Sequence, residues 1–299
     1  MSIQWYPGHM TKARKELEEW MPSQDVIIEV LDARMPRASS NPVVADLRAK
    51  KPCIYVLSRT DLADPDVTAT WLRYLGALPS TVVVQQTNER RSEARTKIPE
   101  LAKKLAPTRG GPTKPLRAMI VGIPNVGKST LINALMNRSV AKVGDEPAVT
   151  KARQLVQLPS GISLWDSPGI LWPKIEDPQA ALRLALCGSI PDSAIDYENV
   201  ATFGAKFFLK FYPALLTARY KLAALPENAD ELLFEIGKRR GGLRAGGKVD
   251  LHKAADALIH DFRGGALGRI SLETPTRRER SVADDEPTAS PPASDGLDE

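Results

Sequence analysis

The sequence contains few of the residues from which disulfide frameworks and metal centres are built. Among its 299 residues there are two cysteines and three histidines. Cys53 and Cys187 lie on separate segments, with no CxxC pair and no histidine cluster nearby. This spacing indicates neither a disulfide framework nor a zinc site. We expect both thiols to be buried structural groups.

The chain also lacks long apolar runs. No stretch approaches the roughly 20 apolar residues needed to cross a bilayer. The N-terminus has no continuous apolar segment of the kind found in secretory signals. Hydrophobic residues make up 42% of the chain and charged residues 26%, both ordinary for globular proteins. These features favour a cytoplasmic protein with no membrane partner.

Lysine and arginine are missing from residues 281–299, which hold six acidic side chains. The whole chain has a net charge of +5, so the rest of it carries about +11 once these six negatives are set aside. A basic excess of this size favours an anionic partner, for which we expect RNA rather than DNA. An ordinary solvated basic surface is the alternative.

Strand and helix signals alternate through the first half of the chain. Apolar, β-branched runs predict strands at 26–31, 54–57, 81–84 and 116–121, and helical spacing predicts helices at 11–20, 42–50, 67–75 and 93–105. This alternation predicts an α/β fold with a mostly parallel, doubly wound sheet. Runs at 154–158 and 162–165, separated by a Pro-Ser-Gly turn, predict an edge hairpin.

A phosphate-binding loop of the form G-x-x-x-x-G-K-[ST] follows the fourth predicted strand. It comprises Gly122, Ile123, Pro124, Asn125, Val126, Gly127, Lys128, Ser129 and Thr130, and a helical pattern follows at 129–136. In such loops, backbone N–H groups and the helix N-terminus surround phosphate oxygens. Lys128 is predicted to meet the β- and γ-phosphates, and the Ser129 hydroxyl to ligate Mg²⁺.

Two further elements complete the predicted phosphate site. Residues 166–169 have the D-x-x-G pattern, in which Asp166 supports Mg²⁺ and the Gly169 N–H meets the γ-phosphate. Thr150 lies between the two motifs, where a switch threonine closes over Mg²⁺ only when the γ-phosphate is present. D-x-x-G alone is a weak signal, but the three together predict a P-loop nucleotide triphosphatase.

The segment at 58–61 resembles the guanine-reading loop Asn-Lys-x-Asp with two residues changed. Its residues are Ser58, Arg59, Thr60 and Asp61. The Asp61 carboxylate can accept from guanine N1–H and the 2-amino group, and Arg59 can lie over the base. A serine hydroxyl is shorter than the amide that normally bridges loop to loop, so Ser58 is expected to lose that bridge. An ordinary turn capped by Asp61 is the alternative.

The second base-contacting loop is also changed. After the predicted strand at 81–84 the chain has Gln85, Gln86, Thr87 and Asn88 in place of a Ser-Ala type sequence, and we expect Gln86 and Thr87 to face the base. Losing one or two hydrogen bonds in the two loops costs on the order of 1 to 3 kcal/mol, or about ten- to hundredfold in affinity. Guanine is predicted to be preferred but weakly held.

The base loop precedes the phosphate loop, which is the reverse of the usual order. A circular permutation explains this order, with the Pro/Gly-rich residues 107–115 as the join. We therefore predict a circularly permuted G domain over 1–177, a helical, RNA-contacting domain over 178–270 and a disordered acidic tail over 271–299. The helical part carries a basic cluster, namely Lys238, Arg239, Arg240, Arg244, Lys248 and Lys253.

These motifs, in this order, resemble a known family. Trp5-Tyr-Pro-Gly-His9-Met10, Asp32-Ala-Arg34-Met-Pro36 and the two phosphate motifs match the circularly permuted ribosome biogenesis GTPases, typified by ribosome biogenesis GTPase A. The resemblance implies GTP hydrolysis and binding to the large ribosomal subunit late in its assembly, with the helical domain touching ribosomal RNA. A nucleotide-switched scaffold with weak guanine selectivity and negligible turnover is the main alternative.

The residue that positions the attacking water is not evident from the motifs. Many GTPases place glutamine after the D-x-x-G glycine, but here that position is Ile170, which cannot hydrogen-bond water. The family resemblance points instead to His9, although a lone histidine is more often structural. Asn125 raises a second possibility, because an asparagine at this place in such GTPases helps to hold K⁺ beside the phosphates.

Overall fold

The computed structural model describes residues 5–87, 91–111, 113–138, 154–242 and 248–276. Its strands are β1 (Val26–Asp32), β2 (Cys53–Ser58), β3 (Thr81–Gln85), β4 (Arg117–Val121), β5 (Gln154–Gln157) and β6 (Ser163–Asp166). Its α-helices are α1 (Gly8–Trp20), α2 (Pro36–Ser39), α3 (Pro42–Arg48), α4 (Pro65–Gly76), α5 (Arg91–Leu105), α6 (Lys128–Met136), α7 (Pro178–Leu186), α8 (Tyr197–Phe211), α9 (Pro213–Tyr220), α10 (Ala229–Arg239) and α11 (Leu251–Arg263).

The six strands form one sheet in the order β3-β2-β1-β4-β6-β5. All neighbours are parallel except β5 and β6, which form the expected antiparallel hairpin at one edge. The predicted α/β class and mostly parallel sheet are therefore confirmed. Because carboxyl ends of parallel strands share one edge, the loops after β2, β4 and β6 meet there. These loops carry the base, phosphate and D-x-x-G motifs.

The central strands are apolar because both of their faces are covered. Every residue of β1 and β2 is buried, which suits their near-continuous β-branched and apolar sequences. Trp71 on α4 packs with Leu31 and Cys53 in a small cluster, while a larger cluster extends from α1 to the C-terminal helices and includes Cys187. Both cysteines are thus buried, as expected.

Helix starts are specified locally by short polar side chains. Six helices begin after an Asp or Asn whose side-chain oxygen accepts a hydrogen bond from the first turn, which satisfies an otherwise unpaired N–H. These residues are Asn41, Asp64, Asp177, Asp196, Asn228 and Asp250. Five of the described α-helices start with proline, and in three of them, at Pro42, Pro65 and Pro178, the proline directly follows such a cap.

The chain after residue 177 is helical, but its first tail residues are packed. Helices α7 to α11 contribute to the same buried cluster as the sheet. The domain boundary at residue 177 stays a prediction. Ser271, Leu272 and Glu273 are buried, and the Leu272 N–H donates to the Arg34 carbonyl at 2.7 Å. We predicted a disordered tail for these three residues because of the composition of the segment. Composition does not show which individual side chains are buried. Residues 277–299 lie outside the described part.

Across the described ranges, none of the helices combines the length and the apolar character needed to cross a membrane.

Glu29 is an acidic side chain buried in the centre of β1. Its Oε1 accepts from the Ser40 hydroxyl at 3.2 Å, and burial raises its pKa from 4.5 to about 7. The folded state therefore binds the proton more tightly than the unfolded state, and stability falls as pH rises from about 4.5 to about 7. Glu29→Gln should remove this dependence and raise the free energy of unfolding at pH 8 by up to roughly 3 kcal/mol.

Urea denaturation at pH 5 and pH 8 measures the effect. The matched control is Glu100→Gln, which changes an exposed glutamate on α5. An equal pH dependence for wild type and Glu29→Gln would contradict the assigned pKa.

Candidate functional site

The phosphate loop has the tight backbone that its sequence predicts. It links β4 to α6, and three of its residues have positive φ: Gly122 at 149°, Asn125 at 56° and Gly127 at 106°. A Cβ on Gly122 would lie 2.7 Å from the Val30 carbonyl oxygen, so only glycine lets the loop pass this close to β1. Ser129 and Thr130 follow as the second and third residues of α6, at the positive end of its dipole.

Lys128 is folded back onto its own loop. Its Nζ donates to the carbonyls of Gly122 at 3.0 Å and Ile123 at 2.8 Å. The side chain is buried, which lowers its pKa to about 8, while the neighbouring Asp166 carboxylate opposes that change. Both hydrogen-bond acceptors of the ammonium are neutral carbonyls, and phosphate oxygens would replace them with stronger, charge-assisted bonds.

Asp166 ends β6 beside this lysine. It is 2% exposed, and burial raises its pKa to about 6. Its Oδ1 is buried and has no hydrogen-bond partner within the described chain. An unpartnered carboxylate oxygen near a P-loop has the chemistry of a ligand for Mg²⁺ or for a Mg²⁺-bound water. Ser129 is the other described candidate for the metal, and Thr150 lies outside the described residues.

Gly169 lies directly against the phosphate loop. A Cβ there would be 2.8 Å from Pro124 Cα and 2.9 Å from Lys128 Nζ, so the D-x-x-G glycine is required by close approach. The next residue, Ile170, is buried, and its carbonyl accepts from the Asn41 side chain at 2.9 Å. Asn41 was not among the predicted site residues. Its only sequence signal, an Asn-Pro helix start, predicts a cap and not a contact 129 residues away.

Ser58 keeps the bridge that it was expected to lose. Its Oγ lies 2.6 Å from the Val126 carbonyl oxygen and 3.0 Å from that of Leu31. A hydroxyl has a single proton, so the shorter contact is the stronger candidate for the hydrogen bond. The expectation was wrong because the serine is buried where β2 meets the phosphate loop, close enough for a short side chain to reach. The arginine also joins the two loops, since Arg59 Nη2 donates to the Asn125 carbonyl at 2.6 Å.

The base side of the site contains two buried side-chain oxygens that could accept hydrogen bonds from a ligand. Asp61 Oδ1 and Gln86 Oε1 are both buried and have no hydrogen-bond partner among the residues that the structure describes. Gln86 follows β3, where its backbone N–H donates to the Leu57 carbonyl at 2.8 Å and its own carbonyl accepts from Thr60 Oγ1 at 3.4 Å. The two base loops are therefore brought together. Thr87 is within the described chain next to Gln86, whereas Asn88 is not.

Asn125 connects the phosphate loop to the helical part. Its Nδ2 donates to the Gly188 carbonyl, directly after α7, at 3.0 Å. The amide is therefore already engaged with protein in this conformation. Its suggested role beside K⁺ stays a prediction.

His9 lies in the first turn of α1. It is exposed and packs edge-on against Trp5, with 6.3 Å between ring centroids. Between described residues, no hydrogen bond joins it to the phosphate site. Helix α1 crosses the face of β4 and β6, where Ala13 and Leu17 line a small cavity together with 165–168.

The Ser58 bridge gives a direct prediction. Ser58→Ala leaves the Val126 carbonyl without its donor in a buried place, which costs about 1–3 kcal/mol. We expect affinity for GDP to fall about tenfold, measured by titration with a fluorescent analogue. Thr81→Val is the matched control, because the Thr81 hydroxyl also lies 2.7 Å from two carbonyls, at the opposite edge of the sheet. If Ser58→Ala bound GDP as tightly as wild type, the hydrogen bond from Ser58 to the Val126 carbonyl would not be needed to shape the nucleotide site.

Comparison with known proteins agrees with this geometry. The profile of a family described as 50S ribosome-binding GTPase matches residues 117–192. Ribosome biogenesis GTPase A of Bacillus cereus is 41% identical over 290 residues, which cover 95% of this chain and 98% of that protein. Mitochondrial ribosome-associated GTPase 1 of Mus musculus is 32% identical over 90% of this chain and 89% of its own.

The fold is also that of a solved relative. GNP-bound YlqF from T. maritima superposes with a TM-score of 0.61 at 25% identity, over 88% of this chain and 98% of that one. The similarity thus extends over nearly the whole chain, through both the sheet and the helices that follow it. The resemblance drawn from the motifs is confirmed: the chain is a GTPase and belongs to the ribosome biogenesis GTPase A family.

Proposed function

We propose that this protein is an assembly factor for the large ribosomal subunit, which acts late in maturation and hydrolyses GTP faster when bound to the ribosome. The observation that carries the GTP-dependent part of the proposal is a phosphate loop in close contact with Gly169, together with the unpartnered Asp61 Oδ1 at the base site. The family description, 50S ribosome-binding GTPase, supports the large subunit as partner. The names of the relatives support a role in ribosome assembly in general.

The helical part is proposed to contact ribosomal RNA. Lys248 and Lys253 are exposed near the start of α11. Other members of the basic cluster are partly neutralised, since Lys238 and Arg239 both pair with Glu235, and Arg240 pairs with Asp261 at 2.6 Å. Phosphate contacts of this kind give sequence-independent, salt-dependent binding. Arg244 belongs to the same cluster but lies outside the described chain.

Catalysis is proposed to rest mainly on positioning and on charge. The backbone N–H groups of 125–130 surround the phosphates, Lys128 leaves its two carbonyls to bind the β- and γ-oxygens, and Gly169 donates its N–H to the γ-phosphate. Ser129 and Asp166, with Thr150, would hold Mg²⁺, which neutralises charge that develops on the phosphate oxygens. Asp61 accepts from guanine N1–H and the 2-amino group, beside Gln86 and Thr87.

Activation of the attacking water is assigned to His9. Ile170 has no polar side-chain atom, so the side chain after Gly169 cannot orient the water as a glutamine would. His9 lies on the helix whose Ala13 and Leu17 line a small cavity with residues 165–168, which directly precede Gly169. We propose that ribosome binding moves this turn onto the site. The same Ile170 favours the rival function, a nucleotide-switched scaffold with negligible turnover.

Sedimentation with large-subunit precursors tests the proposal. The protein should sediment with these particles in the presence of a non-hydrolysable GTP analogue and leave them in GDP. Added subunits should raise the rate of GTP hydrolysis, and a comparison of KCl with NaCl at equal ionic strength tests the K⁺ hypothesis. Nucleotide-dependent binding without any turnover would favour the scaffold. Equal binding in both nucleotides, or binding to small subunits alone, would contradict the proposal.

A further inference from the structure

A short segment after the last helix lies across the base loop. We call residues 268–273 the strap and residues 58–64 the base loop. Four hydrogen bonds join them: Arg269 Nη2 to the Thr60 carbonyl at 2.9 Å, Arg269 Nε to the Ala63 carbonyl at 2.8 Å, the Ile270 N–H to the Leu62 carbonyl at 2.9 Å and the Asp64 N–H to Ser271 Oγ at 3.2 Å. The strap thus contacts most of the base loop.

Arg269 makes the contacts that bear most directly on Asp61. Its guanidinium donates to one carbonyl just before Asp61 and to another two residues after it. The planar fork of arginine fixes the distance between two such acceptors, which lysine cannot do. Inside the loop, a backbone bond from the Leu62 N–H to the Arg59 carbonyl at 2.9 Å provides one turn. Ser58, Arg59 and the Thr60 hydroxyl are held by the phosphate loop and Gln86, whereas the carbonyls of Thr60, Leu62 and Ala63 are held by the strap.

The other side of the strap is fixed to the helical part and to the sheet. The Tyr212 hydroxyl lies 3.1 Å from both the N–H and the carbonyl of Ser271, and Arg183 Nε donates to the Leu272 carbonyl at 3.2 Å. The turn that follows α11 adds a close apolar contact, since a Cβ on Gly265 would lie 2.6 Å from Leu62 Cδ2. Movement of the helical part would therefore act on the base loop through the strap.

We propose that Arg269 is a positioning residue for Asp61, through which the docked strap sets the preference for guanine. This inference rests on the proposed function, since it takes Asp61 as the reader of the base. By linkage, guanine nucleotide binding and strap docking favour each other. Release of the strap, when the helical part shifts on a partner, removes the Arg269 bonds to the Thr60 and Ala63 carbonyls and so loosens the grip on the base.

The affinities for GDP and ADP separate this role from a general structural one. Both nucleotides use the phosphate loop, and only GDP uses Asp61. Arg269→Ala should weaken GDP binding about tenfold and leave ADP binding within about twofold, so that the ratio of the two affinities falls about tenfold. Arg269→Lys should give an intermediate ratio, because an ammonium reaches one carbonyl without the fork. Competition against a fluorescent nucleotide measures both affinities.

Lys51→Ala is the matched control. Lys51 Nζ also donates to two backbone carbonyls, those of Pro22 at 2.8 Å and Gln24 at 2.9 Å, at the opposite edge of the sheet. Its loss should leave the affinity ratio unchanged. An unchanged ratio in both Arg269 variants would overturn the proposal, as would an equal loss of GDP and ADP binding. Equal affinities for GDP and ADP in the wild type would instead contradict the base site itself. If Arg269→Ala does not fold, the ratio in Arg269→Lys decides.

Discussion

Replacing Lys128 with alanine is expected to weaken GTP binding by at least about 100-fold. In the structure the ammonium is buried and held by the carbonyls of Gly122 and Ile123. When phosphate enters, these bonds are exchanged for charge-assisted ones, each worth roughly 1.5–3 kcal/mol. Two such bonds correspond to at least about a hundredfold in the dissociation constant.

The measurement is equilibrium titration of GTP in the presence of Mg²⁺. Lys97→Ala is the control, because Lys97 is an exposed lysine on α5 that pairs with Glu93 at 3.4 Å. Thermal unfolding of both variants shows that each remains folded. If Lys128→Ala bound GTP within about threefold of wild type, the phosphate site would have to lie elsewhere.

The sheet and the phosphate site could be predicted because their signals are local. Buried parallel strands need apolar, β-branched side chains on both faces, and β1, β2 and β4 have them in nearly continuous runs, interrupted in β1 by Glu29. The phosphate loop requires glycines at Gly122 and Gly127, whose positive φ and close contacts the structure shows. In both cases the structural requirement concerns residues that are neighbours in the sequence. A short stretch of sequence is therefore enough to predict the element.

The contacts that join distant segments could not be predicted in this way. Ser58 and Val126 are 68 residues apart, and their bond depends on how closely β2 and the phosphate loop approach. The sequence shows serine in place of the usual asparagine, but it does not show that the shorter side chain reaches the Val126 carbonyl. Arg269 and Thr60, 209 residues apart, are a similar case. The strap is polar in composition and was placed partly in a disordered tail, yet Leu272 and Glu273 are buried.

These distant contacts share one consequence for function. The base loop is bonded to the phosphate loop through Ser58 and Arg59, and to the helical part through the strap. The phosphate loop is bonded to the helical part through Asn125 and Gly188. Nucleotide binding can therefore bias the position of the helices, and a partner bound to the helices can bias the nucleotide site, since such coupling is reciprocal.

His9→Ala is expected to lower ribosome-stimulated GTP hydrolysis by about 100-fold or more, while GTP affinity changes less than about twofold. A positioned acid or base contributes typically 10² to 10⁴ in rate. His9 is exposed in the first turn of α1 and has no hydrogen bond to the described phosphate site, so its loss should not disturb the bound nucleotide. Hydrolysis without ribosomes should change little, because the turn has not yet moved onto the site.

Single-turnover hydrolysis with and without large subunits separates these effects. His252→Ala is the matched control, since His252 is also exposed near the start of a helix and packs against an aromatic ring, that of Tyr197 at 5.6 Å. His9→Gln should retain part of the stimulation, because an amide can still hydrogen-bond the water but cannot take its proton. Equal turnover by wild type and His9→Ala on large subunits would remove His9 from the mechanism. With Ile170 unable to contribute, the water would then have to be positioned by the ribosome.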